Sequence, residues 1–125
     1  MNALFLVSMF FGVIFGLGFI LFPGTVLDPL GVTLGEAATI FARLFGSAIL
    51  SFVVLLWSAR KSVQAEFRLG VANSIFVFYV LIAVLLLIAQ LNYQMNALGW
   101  SIIALHAVLA LWYGYYLVKE RGKGI

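Results

Sequence analysis

The chain has 125 residues, of which 66% are hydrophobic and 9% are charged, and its formal net charge is +3 at pH 7. A water-soluble domain of this size carries about 25% charged residues, so the composition indicates that most of the chain lies in lipid. The few cations form no basic domain, which argues against a nucleic-acid partner. The absence of cysteine excludes disulfides, iron–sulfur clusters and thiolate zinc sites.

Four segments are long and apolar enough to span a membrane, which takes roughly 20 mostly apolar residues. They cover about residues 4–22, 37–57, 69–90 and 98–118. The first ends at Pro23-Gly24, a pair typical of a helix stop. No Lys or Arg precedes it and no small-x-small cleavage site follows it, so we expect a retained span rather than a signal peptide.

The connections between the four segments are short, which forces each helix to lie antiparallel beside its predecessor. The predicted fold is therefore all-α. It is a single integral membrane domain over residues 1–125, built as an antiparallel four-helix bundle.

Small residues recur at every fourth position in three of the four segments. Such rows let helix backbones approach closely in lipid, where no hydrophobic force drives helices together. We expect the first two helices to cross closely along these rows, although a homodimer contact would have the same pattern. The rows comprise Ser8, Gly12 and Gly16 in the first segment, Ala38, Ala42 and Gly46 in the second, and Ala110 and Gly114 in the fourth.

Arg43 places a permanent positive charge inside the second segment, about 10 Å from the start of that helix. Glu36, Thr39 and Ser47 share its helix face, and Asp28 lies in the preceding loop. One interpretation is a structural ion pair that holds this loop to the bundle. The alternatives are a recess for an anionic or polar ligand with Arg43 as its counter-ion, and an Arg43 side chain that reaches lipid phosphate.

The remaining cations predict the orientation of the chain. Six of the seven Lys and Arg residues fall in the second connection and the C-terminal tail, so the positive-inside rule predicts that both termini are cytoplasmic. The expected location is a cell inner (plasma) membrane. Several aromatic side chains are candidates for interfacial belts, namely Trp57, Tyr79, Trp100, Trp112, Tyr113, Tyr115 and Tyr116.

His106 is the only histidine and lies near the middle of the fourth segment. An ionisable side chain at this depth is a functional hypothesis, either as a proton relay or as a ligand of haem or chlorophyll. The alternative is a neutral imidazole bonded to a nearby hydroxyl or carbonyl group. The chain offers no further ligands of the usual kind, so we predict no metal site.

The segments "LFPGTVLDPLGV", "ARLFGSAILSFVVLLWSARK" and "NALGW" resemble a group of uncharacterised bacterial four-helix inner-membrane proteins that are DoxX-like in architecture. The resemblance implies a fold and a location but no activity. Small multidrug transporters, in contrast, depend on a carboxylate in the first helix, where Ser8 is the only polar side chain here.

The sequence leaves three functional hypotheses open. The first is a non-enzymatic accessory or assembly subunit of a larger membrane complex, or a self-associating bundle, because polar groups are few and small-residue rows are available for association. The second is a small transporter or binder of a hydrophobic or anionic molecule, with Arg43 as counter-ion and Glu36 or His106 as proton-coupled groups. The third is binding of a pigment or haem through His106. The expected partners are the lipid bilayer and other membrane-protein subunits or further copies of the chain.

Overall fold

The computed structural model describes residues 1–124, which form four long helices and a short helical connection. The long helices are α1 (Asn2–Leu21), α3 (Glu36–Lys61), α4 (Ala65–Leu91) and α5 (Gly99–Lys123). Each is long and apolar enough to cross a membrane. The chain is therefore a small multi-pass membrane protein, and the prediction of an all-α four-helix bundle is confirmed.

The first connection contains more structure than the sequence predicted. Phe22 leaves the helical conformation, and Pro23 then begins the short helix α2 (Pro23–Leu27), where proline at the first position has no N–H to lose. A 3-10 turn follows over Asp28–Leu30 and ends at Gly31, whose φ of 77° is a left-handed conformation that favours glycine.

Helices α1 and α3 pack with their backbones in close contact. A Cβ atom added to Gly46 would lie 2.7 Å from the carbonyl oxygen of Gly16 and 2.9 Å from Cβ of Phe19. The predicted small-residue rows of these two helices thus meet at Gly16 and Gly46. The row in α3 is shorter than expected, because Ala38 is exposed and Ala42 is only partly buried.

Helices α4 and α5 form a second closely packed pair. Ala110 is buried, and a Cβ atom added to Gly114 would lie 3.3 Å from the ring of Phe76. The α1–α3 pair and the α4–α5 pair then meet mainly through long side chains. The ring of Phe5 on α1, for example, lies 6.3 Å from that of Tyr113 on α5.

The N-terminus, the α3–α4 connection and the end of α5 lie together at one end of the bundle, where Met1, Ser62 and Glu120 line a shared shallow cleft. The guanidinium of Arg68 joins the N-terminus to the α3–α4 connection. It donates hydrogen bonds to Oδ1 of Asn2 at 2.6 Å and to the carbonyl oxygen of Ser62 at 3.4 Å. The opposite end of the bundle carries the α2 loop and the α4–α5 connection.

Replacing Gly46 with alanine tests the close contact between α1 and α3. We expect Gly46→Ala to lower the free energy of unfolding by about 1–3 kcal/mol, because the added methyl group overlaps backbone atoms of α1. Gly70→Ala in α4 is the matched control. A Cβ atom there meets nothing within 4 Å, so this variant should be neutral or more stable by up to about 1 kcal/mol. Both values can be measured by unfolding in detergent followed by circular dichroism, and equal stabilities would contradict the packing described.

Candidate ligand-binding cavity

A cavity of about 410 Å³ separates the α1–α3 pair from the α4–α5 pair. It is partly open, and side chains of all four long helices and of the first loop contribute to its wall. Among residues 1–124, no Asp, Glu, Lys or Arg lines it. Its apolar wall includes six phenylalanines: Phe11, Phe15, Phe19, Phe45, Phe52 and Phe78.

The cavity exists because aromatic rings hold the two helix pairs apart. Phe78 of α4 meets Phe52 of α3 edge to face, with ring centroids 5.3 Å apart, and its centroid lies 6.3 Å from that of Phe45. Phe45 in turn packs edge to face on Phe19 of α1 at 5.4 Å. Rings of this size cannot interdigitate as closely as the glycines within the α1–α3 pair, so space remains between the pairs.

The two loops meet at one end of the cavity. The side-chain amide of Asn96 donates a hydrogen bond to the carbonyl oxygen of Pro29 at 2.8 Å, and its backbone N–H donates to the carbonyl oxygen of Leu30 at 2.8 Å. Gln90 donates to the carbonyl oxygen of Asn96 at 3.1 Å. A Cβ atom at position 99 would overlap Oε1 of Gln90, so a larger residue there would require the Gln90 side chain to move.

A cluster of polar side chains, Ser8, Tyr79, His106 and Tyr113, lies at the other end of the cavity, and all of these but Tyr113 form part of its wall. Oγ of Ser8 and Oη of Tyr113 are hydrogen-bonded at 2.8 Å between α1 and α5. The ring of Tyr79 lies against those of His106 and Tyr113, each at a centroid distance of 5.7 Å. We call these four residues the polar cluster.

Two members of the polar cluster have a different environment from the one the sequence suggested. Tyr79 and Tyr113 were candidates for an interfacial belt, but they are only 7% and 0% exposed and lie between the helix pairs. Ser8 was predicted only as a small packing residue, and it supplies the hydrogen bond that joins α1 to α5. A hydroxyl group in an otherwise apolar segment was the one signal in the sequence that could have indicated this bond.

Arg43 does not join the predicted ion pair or recess. It is exposed, as are Asp28 and Glu36, and the only salt bridge within residues 1–124 joins Lys123 to Glu120 at 2.9 Å. The physical reason is that Gly46 already faces Phe19 and Ile20 near the end of α1. Arg43 lies one turn nearer the start of α3, close to where α1 ends, and its side chain is exposed.

The hydroxyl groups that share the helix face of Arg43 make only local hydrogen bonds. Oγ1 of Thr39 donates to the carbonyl oxygen of Gly35 at 2.9 Å, and Oγ of Ser47 donates to that of Arg43 at 3.1 Å. Neither residue lines the cavity. Of the sequence-predicted candidates for chemistry, the structure brings only His106 to the cavity wall.

No protein-family model matches the chain, and comparison with curated proteins and with solved structures also gives no match. The resemblance to DoxX-like proteins stays a prediction. The cavity and its polar cluster are therefore the features from which a function can be inferred.

A double-mutant cycle tests the hydrogen bond between Ser8 and Tyr113. We expect Ser8→Ala and Tyr113→Phe each to destabilise the bundle, with a coupling energy of about 0.5–1 kcal/mol, the usual range for hydrogen bonds between membrane helices. The double variant should then cost less than the sum of the two single variants. Unfolding in detergent measures all four proteins, and strictly additive effects would show that the two hydroxyl groups do not interact.

Two arginine substitutions distinguish the exposed Arg43 from the bonded Arg68. We expect Arg43→Gln to change the free energy of unfolding by less than about 0.5 kcal/mol, as is usual for an exposed site without specific partners. Arg68→Gln should cost about 1–3 kcal/mol, because it removes charged hydrogen bonds that connect α1 to the α3–α4 connection. A large loss of stability for Arg43→Gln would instead support the ion pair predicted from the sequence.

Proposed function

We propose that this protein binds an uncharged, largely apolar small molecule in the cavity between its two helix pairs, without converting it chemically. The observation that carries this proposal is the cavity itself. Its volume of about 410 Å³ lies within the range of roughly 300–1,000 Å³ that is typical of small-molecule sites. Such sites combine an apolar wall with a few polar groups that orient the ligand, as the polar cluster would here.

The energetics of packing support an occupied cavity. An apolar space that stays empty is unfavourable, because the side chains around it lose packing contacts. A bundle that keeps its two helix pairs apart with phenylalanine rings is therefore best explained by a molecule that fills the gap.

The character of the wall supports an uncharged ligand. No formally charged side chain contributes to it among residues 1–124, and the transfer of an unpaired charge into an apolar environment is strongly unfavourable. Of the two kinds of molecule in the transporter-or-binder hypothesis, the uncharged wall favours the hydrophobic one. The anionic ligand with Arg43 as its counter-ion loses support, because Arg43 lies outside the cavity.

The hypothesis of an accessory or self-associating subunit receives less support from the geometry. One argument for it is the set of small-residue rows, and the central glycines of those rows are already used inside the chain, where α1 packs on α3. A transporter would also need the cavity to open alternately on two sides, a step for which binding is the prerequisite.

We further propose that the protein lies in a bacterial inner membrane with the Arg68 end in the cytoplasm. The support is the positive-inside rule applied to the α3–α4 connection and the end of α5. The end of the cavity at Asn96 would then face the opposite side of the membrane.

Filling the cavity tests the proposed function. A long-chain alcohol that carries a diazirine group is the probe, photo-crosslinked to the protein in liposomes and mapped by peptide mass spectrometry. We expect labelling of cavity-lining residues in the wild type and at least about a tenfold loss in Leu105→Trp, since the indole would occupy the ligand's space. The control is Leu111→Trp on the same helix, where the side chain is 75% exposed and does not line the cavity. Labelling confined to the outer surface of the helices, or unaffected by Leu105→Trp, would contradict the proposal.

A further inference from the structure

Nε2 of His106, a ring nitrogen of the polar cluster, has no hydrogen-bond partner among residues 1–124. His106 lies in the wall of the cavity, and its Nδ1 is 2.8 Å from the carbonyl oxygen of Ile102, one turn earlier in α5. Surrounding atoms do not fully enclose Nε2. Nε2 is therefore open to a molecule that enters the cavity.

The bond to Ile102 determines what Nε2 can do. A carbonyl oxygen only accepts hydrogen bonds, so Nδ1 must carry the ring hydrogen. In a neutral imidazole the other nitrogen then presents a lone pair and no hydrogen. Nε2 of His106 is consequently a hydrogen-bond acceptor, and a ligand needs a donor to satisfy it.

Both serine hydroxyl groups in the cavity wall are already bonded, and Oε1 of Gln90, which has no partner, is enclosed and does not line the cavity. Ser8 is already bonded to Tyr113, and Ser101 donates to the carbonyl oxygen of Leu98 at 2.6 Å. The ring of Tyr79 meets that of His106 edge to face and limits the directions from which a donor can approach.

We infer that the ligand is an apolar molecule with a hydroxyl group, such as a long-chain alcohol, a polyprenol or a phenol, which donates its hydrogen to Nε2 of His106. This inference rests on the proposed function and names the chemical class that the site selects. A hydroxyl group is the donor that adds the least polar surface to a ligand, and the rest of the wall offers an almost wholly apolar environment. His106 would then orient the ligand, with its hydroxyl end at the polar cluster and its apolar body along the phenylalanines.

A matched pair of probes separates this inference from the proposed function. The first probe is the diazirine-bearing long-chain alcohol, and the second is its methyl ether, which keeps the shape and the oxygen but lacks the donor hydrogen. We expect the alcohol to label the cavity about fivefold more strongly than the ether at equal concentration, the difference that one net hydrogen bond provides. In His106→Phe the two probes should label equally.

The single histidine allows a direct measurement of the same bond. Protein labelled with nitrogen-15 at histidine gives ring signals from His106 alone. We expect a spectrum with the hydrogen on Nδ1, and a change of the Nε2 resonance when the alcohol is added but not when the ether is added. His106→Gln, which keeps an acceptor, should recover part of the preference for the alcohol, and circular dichroism checks that both variants fold.

The outcomes are distinguishable. Equal cavity labelling by alcohol and ether in the wild type would overturn the hydroxyl inference while the proposed binding function stands. No cavity labelling by either probe would overturn both. A hydrogen on Nε2 in the free protein would also overturn the inference. A visible absorption band of a metal macrocycle, in protein extracted in mild detergent, would likewise overturn the inference if that band disappears in His106→Phe. Nε2 would then be a metal ligand and not a hydrogen-bond acceptor.

Discussion

The close backbone contact between α1 and α3 at Gly16 and Gly46 is the constraint on which the rest of the structure depends. In lipid, helices gain little from hiding apolar surface, so two of them pair firmly only where small residues allow near contact. This contact fixes which faces of α1 and α3 point toward the second helix pair. Those faces carry five phenylalanine rings, and close packing within one pair is thus accompanied by a gap between the two pairs.

The fold could be predicted from the sequence because it depends on properties that are local in the chain. Segment length and hydropathy determined the four helices, and Pro23-Gly24 marked the end of the first. The short helix α2 was missed because five residues are too few for a periodic pattern. At the end of the bundle that carries Lys61 and Lys123, the helices extend about one turn beyond the predicted spans. The reason is that apolar content marks only the part of a helix that lies in lipid.

The site was harder to predict, because it depends on which residues of different helices meet. Arg43 attracted attention as an isolated charge, yet its environment is decided by where α1 ends. Tyr79 was assigned to an interface by residue type alone, and its burial follows from the arrangement of the two pairs. His106 was identified because a single ionisable side chain in an apolar segment is conspicuous without any knowledge of its neighbours. The hydrogen on its Nδ1, in contrast, follows only from the distance to Ile102.

The hydrogen bonds that Asn96 makes to Pro29 and Leu30 have a consequence for how a molecule bound as proposed would exchange. They hold the two loops together across that end of the cavity, so exchange would run sideways between the helix pairs. The concentration that governs occupancy would then be the mole fraction of the molecule in the bilayer, not its concentration in water. Exchange would respond to acyl-chain order and bilayer thickness, and the protein would sample the composition of its own membrane.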